Sequence, residues 1–217
     1  MKHVLCFGIL LLTSVGLSAQ HFPEDLLENL KFRNIGPAGM SGRVTAIDVD
    51  PLHPEVIYVG SASGGLWRSV NGGHSWASLW DDQPNASIGA VKVDPTNSDV
   101  IWVGTGEGNP RNSQSIGDGL FKSVDGGKSF QRVGLAGTKG IHRIVVNPRT
   151  PQTVFVAAIG LAYGDTEERG VYRTTDGGKS WKKILYTNNR SGAADLVLDP
   201  QNPDKLMAAM WEYRRWP

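Results

Sequence analysis

One eight-residue stretch occurs three times in this chain of 217 residues. The copies are SVNGGHSW at 69–76, SVDGGKSF at 123–130 and TTDGGKSW at 174–181, and we call each copy a turn box. They begin about 50 residues apart. A catalytic motif is needed once, whereas a structural corner is needed once in every structural unit. The spacing therefore predicts a fold assembled from similar units.

Two further motifs accompany the turn box in a constant order. The first contains Asp-Pro or Asn-Pro followed by an apolar run, and its four copies begin at residues 49, 93, 146 and 198. The other lies just before each box and reads GLWRS, GLFKS and GVYRT. Three motifs that recur together at one period indicate a repeat architecture.

Each unit contains four short segments with strand-like composition. A β-branched run ends at the Asp-Pro turn, a second run follows, a third precedes the box, and the box aromatic opens a fourth. Four short antiparallel strands per period are typical of a propeller blade. We predict an all-β fold: a β-propeller of four-stranded antiparallel blades, with about three and a half blades in an incomplete ring. The only predicted helix is 23–30, PEDLLENL.

The first residues are typical of a secretory signal peptide. Lys2 and His3 precede the apolar run VLCFGILLL, and Ser18 and Ala19 are small enough for a cleavage site. The only cysteine, Cys6, lies within this segment. We therefore expect an exported protein, secreted or in the cell envelope or periplasm, that hydrophobic packing stabilises without disulfides.

The repeat and the signal peptide together predict the organisation of the chain. We expect a signal peptide at 1–19, a lead-in with a short helix at 20–40, blade 1 at 41–86, blade 2 at 87–139, blade 3 at 140–192 and part of blade 4 at 193–217. Propellers have about four to eight blades. We therefore expect a fragment of a longer protein, whose remaining blades pack against these.

Composition argues against several classes of partner. The chain has 22 basic and 21 acidic residues, a balance that does not favour a nucleic-acid surface. The N-terminal apolar run is too short to span a bilayer comfortably, and the histidines lack ligand spacing. We expect no nucleic acid, no membrane span, no metal and no cofactor.

The residue types of the turn box are those that suit a tight turn between two strands. Its glycines accept positive φ, its Asp or Asn accepts backbone hydrogen bonds, and its aromatic residue packs over the hairpin. The Gly-Lys-Ser of two boxes also ends a phosphate-binding P-loop, but that loop has a glycine at the positions of Lys122 and Arg173 and is followed by a helix. The boxes here lead into a strand, so we do not predict a phosphate site. The residues that we assign to this structural role are Ser69, Asn71, Gly73, Trp76, Ser123, Asp125, Gly127, Phe130, Thr174, Asp176, Gly178 and Trp181.

The turn box resembles the Asp box, or bacterial neuraminidase repeat, of sialidases, xyloglucanase-like glycosidases and the sortilin ectodomain. With the two upstream motifs, residues 40–217 are most similar to the sortilin-like and xyloglucanase-like group. The resemblance implies a secreted propeller in which the box is architectural and lies away from any active site.

The loops that vary between the units are the candidate ligand contacts. They join the second and third strands, at 61–64, 105–118 and 159–169, and ligands usually meet variable loops on a rigid scaffold. The alternative is an ordinary solvated loop. The candidate residues are Glu107, Asn109, Arg111, Asn112, Asp118, Tyr163, Asp165 and Glu168.

The resemblance to glycosidases is incomplete at the catalytic positions. Such enzymes need two carboxylates, and the xyloglucanase-like pattern implies a catalytic aspartate where this chain has Ala62. The segment from Phe32 to Pro37 departs from the start of the sialidase pattern. We predict no catalytic residue here.

Three functions are compatible with this pattern. The favoured one is a module that binds a polypeptide or a glycan in the sortilin-like manner. The alternatives are a glycoside hydrolase whose carboxylates lie mostly beyond residue 217, and a structural envelope module. Tryptophans at the box positions, such as Trp76, recur with the repeat, and we expect them in the core. Exposed tryptophans would suit a ligand site, and Trp80, Trp211 and Trp216 are the candidates, although core packing is the alternative for each.

Overall fold

The computed structural model describes residues 43–111 and 113–216. The predicted signal peptide, the predicted helix at 23–30 and the candidate Asn112 lie outside these residues.

The described residues form three four-stranded antiparallel sheets and one two-stranded antiparallel sheet, which we call blades 1 to 4. In each of blades 1 to 3 the strands lie side by side in chain order, as the repeat predicted. Blade 1 contains β1 Val44–Val49, β2 Ile57–Ser61, β3 Leu66–Ser69 and β4 Ala77–Ser78. Blade 2 contains β5 Ile88–Asp94, β6 Asn97–Thr105, β7 Leu120–Ser123 and β8 Gln131–Gly134.

Blade 3 contains β9 Ile141–Val146, β10 Val154–Ala158, β11 Gly170–Thr174 and β12 Lys182–Leu185, and blade 4 contains β13 Ser191–Leu198 and β14 Leu206–Glu212.

The start of the fourth strand differs from the prediction. The fourth strands begin one residue after the box aromatic, because that residue belongs to the turn. A short 3₁₀ helix, Ala136–Thr138, links blades 2 and 3.

The hydrophobic core lies between successive blades. The first strands β1, β5, β9 and β13 are neighbours in this order, and three apolar clusters fill the spaces between the blades. Glycines in the second strands permit this approach. A Cβ at Gly60 would lie 2.5 Å from Cγ2 of Ile88, and one at Gly104 would lie 2.3 Å from Cγ2 of Ile141. The isoleucine of the next blade therefore fills the space above each glycine.

Two tryptophans differ from their predicted environments. Trp80, a candidate for exposure, is buried, with its ring 4.8 Å from that of Phe130 and its Nε1 donating to the Asn85 carbonyl at 2.6 Å. Trp76, expected in the core, is 42% exposed. The reason is that a box aromatic packs against the preceding blade, and Trp76 belongs to the first blade described.

Each turn box is closed by side chains that bind its own backbone. In the third box the Thr174 hydroxyl accepts from Gly178 N at 3.0 Å and donates to Asp176 Oδ1 at 2.6 Å. Asp176 Oδ1 also accepts from Ser180 N at 3.0 Å. Equivalent bonds are made by Ser123, Asp125, Gly127 and Ser129 in the second box and by Ser69, Asn71, Gly73 and Ser75 in the first.

No described segment is a helix long and apolar enough to cross a membrane.

The hydroxyl at the start of the box is the contact most sensitive to substitution. We expect Thr174→Val to lower the free energy of unfolding by about 1–3 kcal/mol, because the buried N–H of Gly178 would have no acceptor. Urea denaturation followed by tryptophan fluorescence measures this. Thr175→Val is the matched control, since Thr175 is exposed and should change stability by less than about 0.5 kcal/mol. Equal effects of the two substitutions would contradict the assignment.

The box carboxylates should make stability depend on pH in acid. Hydrogen bonds from Ser129 and Ser180 hold the pKa of Asp125 and Asp176 well below the usual range. A lowered folded-state pKa gives stability that is fully present above the unfolded-state value, about pH 4, and declines as pH falls towards the folded-state value.

We therefore expect the urea midpoint of the wild type to fall more steeply between about pH 5 and about pH 2.5 than that of Asp125→Asn/Asp176→Asn. The amide of Asn71 already makes comparable bonds in the first box, so the variant should fold. Parallel profiles for the two proteins would show that these carboxylates do not carry the acid dependence.

Candidate functional site

The turn boxes and the variable loops lie at opposite ends of the blades. Gly72 N, Gly126 N and Gly177 N of the three boxes donate to carbonyls of the Asp-Pro turns at 2.9, 3.0 and 3.0 Å, so these two kinds of turn share one end. The loops between the second and third strands, the links between blades and residues 213–216 lie at the other end. We call this end the loop face.

Glu107, a candidate ligand contact, lies beneath the loop face rather than on it. Its side chain is fully buried, and Arg43 pairs with both of its oxygens: Nε to Oε1 at 2.9 Å and a terminal nitrogen to Oε2 at 2.5 Å. The hydrogen bond to Glu107 raises the pKa of Arg43. This pair joins the start of blade 1 to the long loop of blade 2.

The rest of the blade 2 loop is tied to blades 3 and 4 through its backbone. The Asn109 carbonyl accepts from Gln114 Nε2 at 2.6 Å and from Tyr213 Oη at 3.3 Å. The Arg111 carbonyl accepts from Tyr163 Oη at 3.1 Å. The structure therefore brings Arg111 against the blade 3 candidate Tyr163 and Asn109 against Tyr213, which follows β14.

Asp118 and Glu168 are each engaged elsewhere. Asp118 Oδ2 accepts from Arg132 at 2.6 Å, and Glu168 Oε2 accepts from Tyr172 Oη at 2.7 Å. Burial, reinforced by Glu168, raises the pKa of Tyr172. Neither residue joins the cluster described below.

Arg169 shapes the blade 3 loop, a role that no sequence motif indicated. Its guanidinium is buried and donates to the carbonyls of Ile159, Leu161, Gly164 and Tyr213. Burial lowers the pKa of Arg169. One side chain thus fixes the 159–169 loop and the chain after β14.

Around Asp165 the loop face carries a cluster of aromatic and charged side chains. Asp165 accepts from Arg214 Nε at 2.8 Å and lies 3.6 Å from Arg190 Nε. Both guanidinium groups lie over the ring of Trp216, at 4.2 Å for Arg214 and 5.4 Å for Arg190. We name Tyr163, Asp165, Arg190, Arg214 and Trp216 the aromatic corner. Trp216 is 66% exposed and Tyr163 is 39% exposed, so rings are accessible there.

The position at which the resemblance to xyloglucanase-like enzymes implies a catalytic aspartate is buried in this structure. Ala62 is buried, and its N–H donates to the Arg43 carbonyl at 3.0 Å. Glu107 and Asp165 are ion-paired. Within residues 43–111 and 113–216 no group of His, Cys, Asp and Glu is arranged to hold a metal ion.

Solved structures resemble this arrangement over most of the chain. A GH74 enzyme of Niastella koreensis superposes with a TM-score of 0.59 at 23% identity, covering 76% of this chain and 24% of that one. An ancestral GH74 enzyme superposes with a TM-score of 0.61 at 24% identity, covering 82% of this chain and 23% of the other. The chain has a β-propeller fold. This confirms the predicted fold class of four-stranded antiparallel blades.

Two further similarities are to a nutrient binding protein, in structure, and to a xyloglucanase, in sequence. An auxiliary nutrient binding protein from Bacteroides thetaiotaomicron superposes with a TM-score of 0.52 at 9% identity, covering 75% of this chain and 35% of that one. Xyloglucanase Xgh74A of Acetivibrio thermocellus is 29% identical over 190 residues, or 73% of this chain. The chain spans about a fifth of that enzyme, 21% of its length. No known protein-family profile matches the chain.

The pair of Arg43 and Glu107 should be the most costly ionic contact to break. We expect Arg43→Met to lower the free energy of unfolding by about 3 kcal/mol, the lower end for a broken buried pair, because Arg43 itself is partly solvated. Urea denaturation measures this cost. Arg132→Met removes the exposed pair with Asp118 and should cost less than about 1 kcal/mol. A larger loss for Arg132→Met would contradict the assignment.

Proposed function

We propose that this chain belongs to an exported Asp-box propeller that binds a polypeptide or glycan ligand through its loop face. The aromatic corner carries this proposal, because it combines an exposed indole with two arginines that Asp165 holds in place. A pre-positioned aromatic ring stacks on a sugar or on an aromatic side chain at little entropic cost.

The proposed contacts are those candidates that the loop face makes accessible. Tyr163 and Asp165 belong to the aromatic corner, and the polar segment of Asn109 and Arg111 adjoins it through the Tyr163 hydroxyl. Glu107 and Asp118 are proposed to support the loop rather than to touch the ligand, since arginines occupy their carboxylates.

A glycoside hydrolase is the second candidate, and its support is the similarity to a xyloglucanase. Acid–base chemistry on a glycosidic bond needs two carboxylates facing the bond. In the described residues the position of the implied base is Ala62. A hydrolase of this kind would therefore use carboxylates of a longer polypeptide.

Binding to a panel of xyloglucan, β-glucans, sialylated glycans and a random peptide library tests the first proposal. For any member that binds, we expect Trp216→Ala to weaken affinity at least about tenfold, equivalent to about 1.4 kcal/mol of stacking and burial. Trp76→Ala is the matched control, because Trp76 is an exposed tryptophan at the other end of the blades. Equal weakening by both variants, or no binding by the wild type, would contradict the proposal.

Release of reducing sugar from the same glycans separates the two candidates. The binding proposal expects no release by this chain. Release abolished by Asp165→Asn or Glu107→Gln, with the fold retained by circular dichroism, would replace it with a hydrolase whose active site lies on the loop face.

A further inference from the structure

The first turn box differs chemically from the other two because it contains an Asn-Gly bond. Asn71 precedes Gly72, whereas the corresponding glycines of the second and third boxes follow Asp125 and Asp176. In an Asn-Gly pair the main-chain nitrogen of the glycine can attack the side-chain Cγ of the asparagine, since glycine has no Cβ to obstruct the approach. No other asparagine of the chain is followed by glycine. The sequence therefore singles out Asn71 as the asparagine best suited to deamidation.

The reaction needs water as its only added reactant. The Gly72 nitrogen loses its proton and bonds to Cγ of Asn71, and the side-chain nitrogen leaves as ammonia, so that a cyclic succinimide forms. Water then opens the ring. Cleavage of the new bond to Cγ gives aspartate, and cleavage of the original main-chain bond gives isoaspartate, whose main chain runs through Cβ and Cγ. Either product carries a negative charge that asparagine lacks.

The carboxylates of the other two boxes are poor substrates for the same ring closure. Their oxygen leaves as water only when the carboxyl group is protonated. A hydrogen bond from the serine four residues further on holds the pKa of Asp125 and of Asp176 well below the usual range. At neutral pH these groups are therefore ionised. The amide of Asn71 needs no such proton, so the first box is the one that carries an effective leaving group.

The closed first box holds both reacting groups in hydrogen bonds. Gly72 N donates to the Glu55 carbonyl at 2.9 Å. Asn71 Oδ1 accepts from Ser69 Oγ and from Ser75 N at 2.9 Å each, and Asn71 Nδ2 donates to Ser75 Oγ at 2.9 Å. Ring closure must turn the amide away from these partners and free the Gly72 nitrogen. Deamidation therefore requires the box to open.

The surroundings of the first box make such opening accessible. Asn71, Gly72 and Ser75 are exposed, and the strand that follows, β4, consists of two residues only. Exposed hydrogen bonds beside a short strand belong to the part of a protein that opens at low free energy. Solvent also reaches the exposed turn, so water can hydrolyse the ring.

The two products have opposite effects on the corner. Aspartate at this position reproduces the second box, in which Ser129 Oγ donates to Asp125 Oδ2 at 2.6 Å. The Ser75 hydroxyl need only turn its proton towards the new carboxylate. Isoaspartate instead lengthens the main chain before Gly72, which displaces the glycine nitrogens from the oxygens that accept from them in the closed box.

We propose that Asn71 is a deamidation site of this protein, which the closed first box protects and the open box exposes. Conversion to aspartate preserves the corner, and conversion to isoaspartate opens it. The first box lies at the opposite end of the blades from the loop face, so this inference is independent of the proposed function.

Peptide mass spectrometry of protein kept in mildly alkaline buffer tests the site. We expect Asn71 to be the first asparagine converted. Its conversion should be at least about tenfold slower in the folded chain than in the chain unfolded by urea, which corresponds to about 1.4 kcal/mol of opening free energy. Ser75→Ala removes the hydroxyl that accepts from the Asn71 amide and should raise the folded-state rate about threefold to tenfold.

The matched control is Ser180→Ala, which removes the equivalent hydroxyl from the third box and should leave the rate at Asn71 unchanged. Equal rates in folded and unfolded chains would overturn the proposal. So would equal effects of the two serine substitutions, an Asn71 that stays intact in the unfolded chain, or earlier conversion of another asparagine.

The urea midpoint at neutral pH tests the effect of the two products. Asn71→Asp should unfold at the wild-type midpoint, because the second and third boxes already hold a carboxylate in this corner. The isoaspartyl form, separated from aged wild-type protein by ion exchange, should unfold at a lower midpoint. Equal midpoints for the aspartyl and isoaspartyl forms would overturn the assigned effect on the box.

Discussion

The packing of each blade against the next is the interaction on which the rest of the structure depends. A four-stranded sheet has two faces, and a chain expected to lack disulfides must cover both with apolar contacts. Here Gly60 and Gly104 allow the next first strand to approach within contact of the second strand. The turn box then covers the outer strands of the preceding blade. A blade in isolation would leave rings such as Trp80 and Trp102 in water.

This dependence explains why the turn box is repeated while its charge is not. The corner requires a hydroxyl for the buried N–H of the second glycine and an oxygen for the N–H groups that follow. Asn71 supplies that oxygen as well as Asp125 and Asp176 do. A residue selected for proton transfer would not tolerate an amide, whereas a residue selected for accepting hydrogen bonds does. The repeated box is therefore a structural element.

Periodic features of this protein were predictable from sequence and long-range ones were not. Strands, turns and boxes recur with the repeat, so each copy supports the interpretation of the others. Arg43 and Glu107 are 64 residues apart, and no local pattern links them. Arg169 binds carbonyls, which every residue possesses, so its partners have no sequence signature. The environments of Trp76 and Trp80 differed from the prediction because the neighbouring blade, rather than the local pattern, decides burial.

The loop face combines a rigid support with an accessible surface. Glu107 and Arg169 are buried charges whose partners lie on different segments, and a buried charge is tolerated only when its partners hold fixed positions. Arg169 thereby restricts the 159–169 loop and the chain after β14, which carry most of the aromatic corner, and Glu107 restricts the neighbouring loop of blade 2. Above them, Arg190 and Arg214 face the exposed ring of Trp216, so that the groups proposed to recognise a ligand would be in place before it arrives. Pre-organisation of this kind lowers the entropic cost of binding, and it requires no carboxylate free to transfer a proton. The same propeller scaffold is found in glycosidases, but a scaffold does not determine its chemistry; in this segment the ionic groups stabilise the loops that would hold a ligand.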